Sequence, residues 1–345
     1  MMECGTVLTL AFLSLIIICS GVEERGTSSV EEDVELERQL KILNKPAIKT
    51  IKTEHGDIFD CVDIHKQPAF DHPLLKNHKI KMRPSFIPEA EEQKAPSVGA
   101  KAAKIGLPDG GCPQGSVPIR RTKKQELKNA KTFFNNRKEV IPTLNGDKTN
   151  YKGDTALVRW EGNRRVFGTR FILNIWGPQV DNEQYTSITT WLKRSCGIMN
   201  AGWMTDCYKE TGCFNTLCPG FVQIDTQVPL GADLGPVSVY KGFQYELQFD
   251  LFKDLSMGDW WLVVGDNKSV GYWPSELFTA INEYSDRVAW GGYTYGPSDR
   301  APPPLGSAHY PFEGYGKTCY IRHIQLMNRY KTFYPPNYHN FYADY

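Results

Sequence analysis

The stretch that decides the fold is FQYELQFDLF, residues 243–252. Its apolar and polar side chains alternate, with the apolar set Tyr245, Leu247, Phe249 and Leu251 and the polar set Gln244, Glu246, Gln248 and Asp250. A period of two places one set on each face of a strand. The stretch therefore predicts an antiparallel strand with one buried face and one wet face.

Strand-like runs continue on both sides of this stretch and are separated by turns rich in Gly and Pro. They cover residues 156–160, 169–176, 260–264, 269–273, 287–294 and 318–327, with a short helix predicted near 274–284. Many short strands joined by such turns are typical of a β-sandwich. We therefore predict a mostly β chain whose C-terminal domain, residues 141–345, is an antiparallel β-sandwich.

The N-terminal part of the chain has a different sequence pattern, with fewer strand-like runs. Leucines at helical spacing around residues 36–43 predict a helix, and residues 48–64 predict a hairpin. Residues 67–88 are interrupted by prolines, which favours an extended conformation. Residues 89–111 read as a mobile linker, and 121–138 as a basic connector of the kind that proteases cut. We predict a small α+β segment and linker at residues 22–140.

The first residues form an apolar run, Val7 to Cys19, which is too short to span a bilayer. Small residues follow it at 19–21, so residues 1–21 are typical of a secretory signal peptide. A short membrane anchor is the alternative. No other run approaches transmembrane length, and we expect an extracellular chain that has no membrane contact once the signal is removed.

Composition narrows the function classes. Forty basic residues nearly balance thirty-nine acidic ones, for a net charge of +1, so no global field favours a nucleic acid or an anionic membrane. The chain has no CxxC pair and no His-rich cluster, so neither a metal site nor a cofactor is predicted. One sequon, Asn267-Lys268-Ser269, lies between two strand-like runs, where a turn would expose Asn267 for glycosylation.

Several short sequence segments in both halves of the chain match motifs of one protein family. They are DCVDI (60–64), QPAFDHPL (67–74), MRPS (82–85), NIWGPQV (174–180), TGCFNTLCPGFVQ (211–223), GDWWL (258–262) and GYWP (271–274). On these segments the chain resembles the neprosin family, plant secreted proteins with an activation peptide and a C-terminal catalytic domain. The resemblance implies a β-sandwich whose concave face binds peptide. It also implies that residues 22–140, called the pro-segment below, block that face until they are removed.

The active members of that family resemble glutamate-class endopeptidases that cut after proline. Their two glutamates lie in Glu-Ala-Gly-Trp and Trp-Gly-Gly-Glu, where two carboxyls face one water. The matching positions here are Asn200 and Tyr293. An amide can still orient a water or donate to an oxyanion, but a phenol is a poor base at acidic pH. The peptidase activity is therefore expected to be lost or greatly reduced.

The family resemblance also shows a shortened segment. Only residues 204–210 separate the Ala-Gly-Trp and Thr-Gly-Cys motifs, which is expected to remove part of one wall of the cleft. Removing the signal leaves seven cysteines, so disulfides and at least one free thiol are expected. The favoured pairs are Cys196 with Cys207, Cys213 with Cys218 and Cys61 with Cys112, with Cys319 left over. Other pairings stay open.

Two other carboxyls are weak candidates for a displaced catalytic pair. Glu276 follows Pro274, where the first turn of a helix would favour it by the helix dipole alone. Glu246 lies on the polar face of its strand, where a solvated role is the alternative. Trp203 and Trp290 neighbour the two family positions and are candidates for a platform under proline or sugar rings, with burial in the core as the alternative.

Three hypotheses result. The first is a secreted neprosin-like protein that has lost the peptidase mechanism and keeps its groove for a peptide or a cell-wall glycan. The second is an active prolyl endopeptidase that uses a rearranged carboxylate pair. The third is a non-catalytic structural protein of the apoplast. In each, the pro-segment is the partner that the chain itself supplies.

Overall fold

The structure is a computed structural model that describes residues 25–90, 99–131, 151–181, 183–194, 197–199, 202–204, 213–214, 216–337 and 341–344. The predicted signal peptide and residues 132–138 of the basic connector lie outside these ranges. Within them, no helix is both long and apolar enough to cross a membrane.

The described chain is built mainly of strands. In chain order its α-helix and strands are α1 (Arg25–Leu43), β1 (Lys49–Lys52), β2 (Ile58–Asp63), β3 (Glu89–Ala90), β4 (Lys101–Ala102), β5 (Ser116–Arg120), β6 (Tyr151–Lys152), β7 (Thr155–Val166), β8 (Gly168–Asn174), β9 (Tyr185–Arg194), β10 (Gly197–Met199), β11 (Gly202–Met204), β12 (Cys213–Phe214), β13 (Val222–Gln223), β14 (Tyr245–Lys253), β15 (Trp260–Val264), β16 (Lys268–Trp273), β17 (Ser285–Pro297), β18 (Ile321–Met327), β19 (Thr332–Tyr334) and β20 (Phe341–Asp344). Residues 124–131 are also helical.

These strands form three sheets. The pro-segment has a small sheet in the order β1-β2-β5, which confirms the predicted hairpin. The first large sheet runs β12-β11-β10-β9-β17-β7-β20, with β6 beside β17. The second large sheet runs β13-β16-β15-β14-β8-β18-β19-β3, with β4 beside β14. Two described pairs are parallel, β4 with β14 and β3 with β19. The others described are antiparallel, as the alternating pattern predicts.

The two large sheets pack face to face. Their shared core contains Trp160, Leu192, Val288 and Trp290 from the first sheet and Leu247, Leu251, Trp260 and Trp273 from the second. This arrangement confirms the predicted β-sandwich. Each sheet therefore has an inner face in the core and an outer face, and the outer faces hold the candidate sites.

The outer face of β14 corrects one expectation. Its predicted wet side chains include Glu246 and Asp250, but these are only 7% and 1% exposed. Arg170 lies opposite Asp250 on β8 and forms two hydrogen bonds to it, of 2.8 and 2.5 Å. Arginines from neighbouring strands therefore cover this row of carboxylates, because a buried charge needs a charged partner.

The pro-segment packs on the outer face of the second sheet. Its Ala69, Phe70 and Phe86 belong to one apolar cluster with Trp261 and Tyr272 of that sheet. Strands β3 and β4 add backbone pairing at the same sheet. The prediction of a mobile linker is therefore wrong at residues 89–90 and 101–103, where the backbone pairs with the second sheet. Residues 91–98 lie outside the described ranges.

Two further predictions concern a disulfide and a short helix. The predicted bridge between Cys61 and Cys112 is present and joins β2 to the loop before β5. The short helix predicted near residues 274–284 is instead two 3₁₀ turns, Ser275–Leu277 and Ala280–Asn282. Thr279 separates them with a non-helical backbone, at φ −107° and ψ −92°, so an α-helix cannot continue through it.

Candidate functional site

The family position at Tyr293 lies on the outer face of the first sheet. Val288 and Trp290 of β17 point into the core, whereas Tyr293 belongs to a separate aromatic cluster. Its ring stacks on Tyr185, with centroids 5.6 Å apart, and contacts Trp191 at 5.9 Å. Only 8% of Tyr293 is exposed. The residue at this position is thus part of a packed aromatic surface.

The other family position, Asn200, lies outside the described residues. The strand before it, β10, ends at Met199, which is opposite Leu192 of β9. Tyr293 is opposite Ser187, farther along the same strand. Trp191 lies between these two rows and contacts Tyr293. The end of β10 therefore meets the sheet beside Trp191, not level with Tyr293.

A shallow groove of about 230 Å³ runs along this outer face beside Trp191. Arg159, Lys193 and Arg287 line it, and Glu161 forms an ion pair with Arg159 at 2.9 Å. Burial lowers the pKa of Lys193, and the nearby charges of Arg287 and Arg159 lower it further. The groove is therefore a cationic surface next to aromatic rings, which suits polar backbone groups and acidic side chains of a ligand.

The two predicted platform tryptophans have different surroundings. Trp290 is 2% exposed, and its indole nitrogen donates a hydrogen bond to Thr169 at 3.0 Å inside the core. It presents no surface to a ligand, because it fills the space between the sheets. Trp203 is in β11, with its backbone opposite Met199 and Cys213.

Glu246 is held by a network on the outer face of the second sheet. Arg322 donates to both of its oxygens, at 2.8 and 2.5 Å, and the Tyr320 hydroxyl donates at 2.6 Å. Burial raises the pKa of Tyr320, and the bond to Glu246 raises it further, so that phenol stays protonated. Both carboxylate oxygens are thus engaged, and Glu246 forms one edge of a groove of about 1380 Å³ between the second sheet and the pro-segment.

Glu276 lies in the first 3₁₀ turn after Pro274, and its side chain is 48% exposed. It accepts a hydrogen bond from the Ser275 hydroxyl at 3.3 Å, and His78 of the pro-segment is 3.6 Å away. Burial raises the pKa of Glu276, but its own backbone amide and the charges of His78 and Lys81 outweigh this and leave the pKa lowered. Glu276 is therefore an ionised carboxylate at the edge of the pro-segment contact.

Sequence reasoning missed two buried aspartates beneath the pro-segment, Asp254 and Asp259. Ser85 donates to Asp254 from its backbone nitrogen at 2.6 Å and from its hydroxyl at 2.7 Å. Lys81 forms an ion pair with Asp259, which also accepts from the backbone nitrogen of Ser275 at 3.1 Å. Acidic residues beside an apolar pair of tryptophans are the signal in the sequence that could have identified them, because such carboxylates need partners.

The pKa values of these two aspartates move in opposite directions. Burial raises the pKa of Asp254, but the hydrogen bonds from Ser85 and from the turn at Ser256 and Met257 outweigh it, so the pKa is lowered. Burial also raises the pKa of Asp259, and there the ion pair with Lys81 only partly opposes the shift. The hydrogen bonds from Ser85 therefore favour the ionised form of Asp254.

The remaining predictions concern modification, disulfides and metals. Asn267 is exposed in the turn between β15 and β16, at φ +59°, and its glycosylation stays a prediction. Cys218 is disulfide-bonded, and Cys319 is a free thiol. The predicted pairs of Cys213 with Cys218 and of Cys196 with Cys207 each include a side chain that the structure does not describe, so both stay predictions. In the part of the chain that the structure describes, no group of His, Cys, Asp and Glu is arranged to hold a metal ion.

Two family models match the chain. Residues 177–344 match the model described as neprosin. Residues 50–156 match the model described as the neprosin activation peptide. The first match contains β9 to β20 and both family positions, and the second contains the small sheet and the segments that pack on the second sheet.

Proposed function

The chain belongs to the neprosin family, with its activation peptide in the same chain, and from this premise we propose that it is a secreted peptidase-type protein that has lost peptidase activity. In this proposal residues 1–21 are the signal peptide, 22–140 the pro-segment and linker, and 141–345 the sandwich domain. The outer face of the first sheet is retained as a groove for a peptide.

The observation that supports lost activity is the packing of Tyr293. The family mechanism needs a titratable carboxyl at this position to move a proton during hydrolysis. A phenol packed between Tyr185 and Trp191 cannot serve as that base at acidic pH, because its ordinary pKa is about 10. With an amide at Asn200 as well, neither family position supplies a proton acceptor. Loss of one such group typically costs about 10²- to 10⁴-fold in rate.

The observation that supports a retained groove is the surface beside Trp191. Arg159, Lys193 and Arg287 line it, and the Trp191 ring borders it on the side of Tyr293. A flat ring beside hydrogen-bond donors is a common way to hold an extended, proline-containing peptide. Binding without hydrolysis is the activity that this surface best supports.

A second candidate function is hydrolysis by a rearranged carboxylate pair. Asp259 and Glu276 both contact Ser275, through its backbone nitrogen and its hydroxyl respectively. Their charges also act on each other, since Glu276 raises the pKa of Asp259. Two carboxyls whose pKa values differ are a pattern found in acid–base catalysis. Glu246 supports this candidate less, because Arg322 and Tyr320 occupy both of its oxygens.

The test is digestion of a proline-rich peptide by the full secreted chain at acidic pH, followed by mass spectrometry. A family member that has both glutamates is the positive control. We expect no cut after proline above the buffer blank. Cuts after proline would contradict lost activity. Abolition of those cuts by Glu276→Gln but not by Glu246→Gln would establish the second candidate.

Binding is measured separately, by fluorescence anisotropy of the same peptide at the pH of the digestion. Trp191→Ala is expected to weaken binding about tenfold, which corresponds to about 1.4 kcal/mol. Trp176→Ala, at a partly buried tryptophan of the β8 to β9 loop, is the matched control and should leave affinity unchanged. If the two variants bind equally well, the groove beside Trp191 is not the peptide site.

A further inference from the structure

A further cleft lies where the end of β7 and the turn that joins it to β8 meet the turn that joins β18 to β19. Its volume is about 870 Å³, and Arg164, Arg165 and Arg329 line it together with Tyr330 and Tyr334. None of its described lining residues is Asp or Glu. A chain with a net charge of only +1 therefore gathers three guanidinium groups around one opening, which creates a local positive potential.

Backbone and side-chain hydrogen bonds fix the two turns relative to each other. The backbone nitrogen of Phe167 donates to the carbonyl of Met327 at 2.9 Å, which ties one turn to the other. The side-chain oxygen of Asn328 accepts from the backbone nitrogens of Tyr330 at 2.8 Å and Thr332 at 3.2 Å. Arg329 lies inside this closed turn, and Tyr330 projects from it with 79% of its surface exposed. The turn therefore presents both side chains from a defined backbone.

The other two arginines are oriented by aromatic residues. Burial raises the pKa of the Tyr334 phenol, and Arg164 lies close enough to lower that pKa by a smaller amount. The guanidinium of Arg165 lies 4.8 Å from the ring centroid of Tyr284. Neither contact brings a negative charge to the arginine, so the cleft keeps its cationic character while the side chains are held in place.

The shape and chemistry of the cleft indicate its ligand. A guanidinium presents paired donors that match a carboxylate. The cleft is far larger than one small anion needs, since a water molecule occupies only about 30 Å³ in the liquid. The exposed ring of Tyr330 adds a flat surface next to the charges. Arginine clusters also recognise acidic peptide motifs, but the flat, exposed ring of Tyr330 beside the charges favours a ligand that is itself built of rings.

We propose that this cleft binds an acidic oligosaccharide, a run of uronic acid residues. The carboxylates of successive sugars pair with Arg164, Arg165 and Arg329, and a sugar ring stacks on Tyr330. The site is distinct from the groove beside Trp191, so it does not depend on whether peptides are bound or cut.

The test is isothermal titration calorimetry of the full secreted chain with an oligomer of galacturonic acid. Binding is expected, and it should weaken with added salt because the contacts are ionic. Arg164→Gln or Arg329→Gln should each weaken it about tenfold, and the triple glutamine variant should abolish it. Tyr330→Ala should also weaken binding, whereas Tyr330→Phe keeps the ring and should not. Thermal unfolding shows whether each variant is folded.

Matched controls separate this ligand from other anions. Arg38→Gln removes the same charge at an exposed position on α1, where the side chain is 62% exposed, and should have no effect. The methyl-esterified oligomer keeps the rings but not the charges, polyglutamate keeps the charges but not the rings, and inorganic phosphate tests a simple anion site. Preference for the acidic oligomer over all three supports the proposal. No binding, equal binding of polyglutamate or phosphate, or full binding by the triple variant overturns it.

Discussion

The ring of Tyr293 stacks on the ring of Tyr185, with centroids 5.6 Å apart and ring planes at 27°. The two residues come from adjacent strands, β17 and β9, and both lie on the outer face of the first sheet. In the function proposed above, this is the position where the family mechanism needs a carboxyl. The stacked rings leave the pairing of β17 with β9 intact.

Tyr293→Glu is expected to lower the free energy of unfolding by about 2–4 kcal/mol at pH 7, because a carboxylate would replace a ring in a packed aromatic cluster. Burial would raise the pKa of the new carboxyl, so the loss should shrink at pH 4, where the protonated form predominates. Urea unfolding at both pH values measures the difference. Tyr293→Phe keeps the ring and is the control. A glutamate variant as stable as the parent at pH 7 would show that this position is open to water.

Asp254→Ala is expected to destabilise the chain by about 1–3 kcal/mol at pH 7, because the Ser85 nitrogen and hydroxyl lose their acceptor. The pKa of Asp254 is lowered in the folded chain. Its contribution is therefore present above its unfolded pKa of about 3.9 and is lost as pH falls through the lower folded value. Thermal unfolding from neutral to strongly acidic pH should show parent and variant converging. The exposed Asp266, altered to Ala, should give no comparable change, and a constant gap at all pH values would contradict the assignment.

Lys253 predicts a pH dependence of the same sign in an alkaline window. Burial lowers its pKa to about 8, although the charges of Asp259 and Asp254 oppose this. Between pH 8 and the ordinary lysine value of about 10.4, the unfolded chain holds a proton that the folded chain has lost. The stability contributed by this group therefore rises with pH across that window, by at most about 1.4 kcal/mol per pH unit.

Lys253→Met removes this titration. Urea unfolding of parent and variant between pH 8 and 10 should therefore show a difference in stability that grows with pH in favour of the parent. Subtracting one curve from the other cancels the thiol and phenol groups that titrate in the same range. Lys268→Met, at an exposed lysine of β16, should show no growing difference. A gap independent of pH would mean that Lys253 keeps an ordinary pKa.

Cys319 is expected to react slowly with a thiol reagent at pH 8 in the folded chain and at once in urea. Burial raises its pKa to about 12, so almost no thiolate is present, and the thiolate is the reactive form. Its sulfur also contacts the carbonyl of Asn174 at 3.4 Å. The labelling rate followed by mass spectrometry tests this, with Cys319→Ser as the blank. Rapid labelling of Cys319 in the native chain would contradict its burial.

The two-residue period of β14 was enough to predict an antiparallel sandwich, because alternation of side chains is a local property of a strand. The same pattern failed at Glu246 and Asp250, which it assigned to a wet face. Their arginine partners are 76 and 80 residues away in sequence. No local pattern identifies such partners, so burial of these carboxylates could not be predicted.

For the candidate site too, the sequence predicted residue types but not which side chains are buried. The motifs around positions 200 and 293 were sufficient to propose that Asn200 and Tyr293 stand where the family has glutamates, since residue types are read directly from the sequence. Trp290, the first residue of the motif that ends at Tyr293, was a candidate platform, yet it fills the core. Its neighbour Gly291 adopts φ +149°, a conformation that suits glycine, and beyond it Tyr293 faces outward. Only the packing shows on which face of β17 each of these side chains lies.

By itself, the sequence determined the strand pattern, the family and the residue types at positions 200 and 293, because these depend on residue types and on short-range periodicity. The tertiary structure alone decided that the pro-segment covers the second sheet, and that Lys81 meets Asp259 across 178 residues of chain. It also decided that two arginines at the end of β7 and one from the turn after β18 share one cleft. These relationships depend on which sheet each segment packs against, and that choice is made by the burial of the whole chain rather than by any one stretch of it.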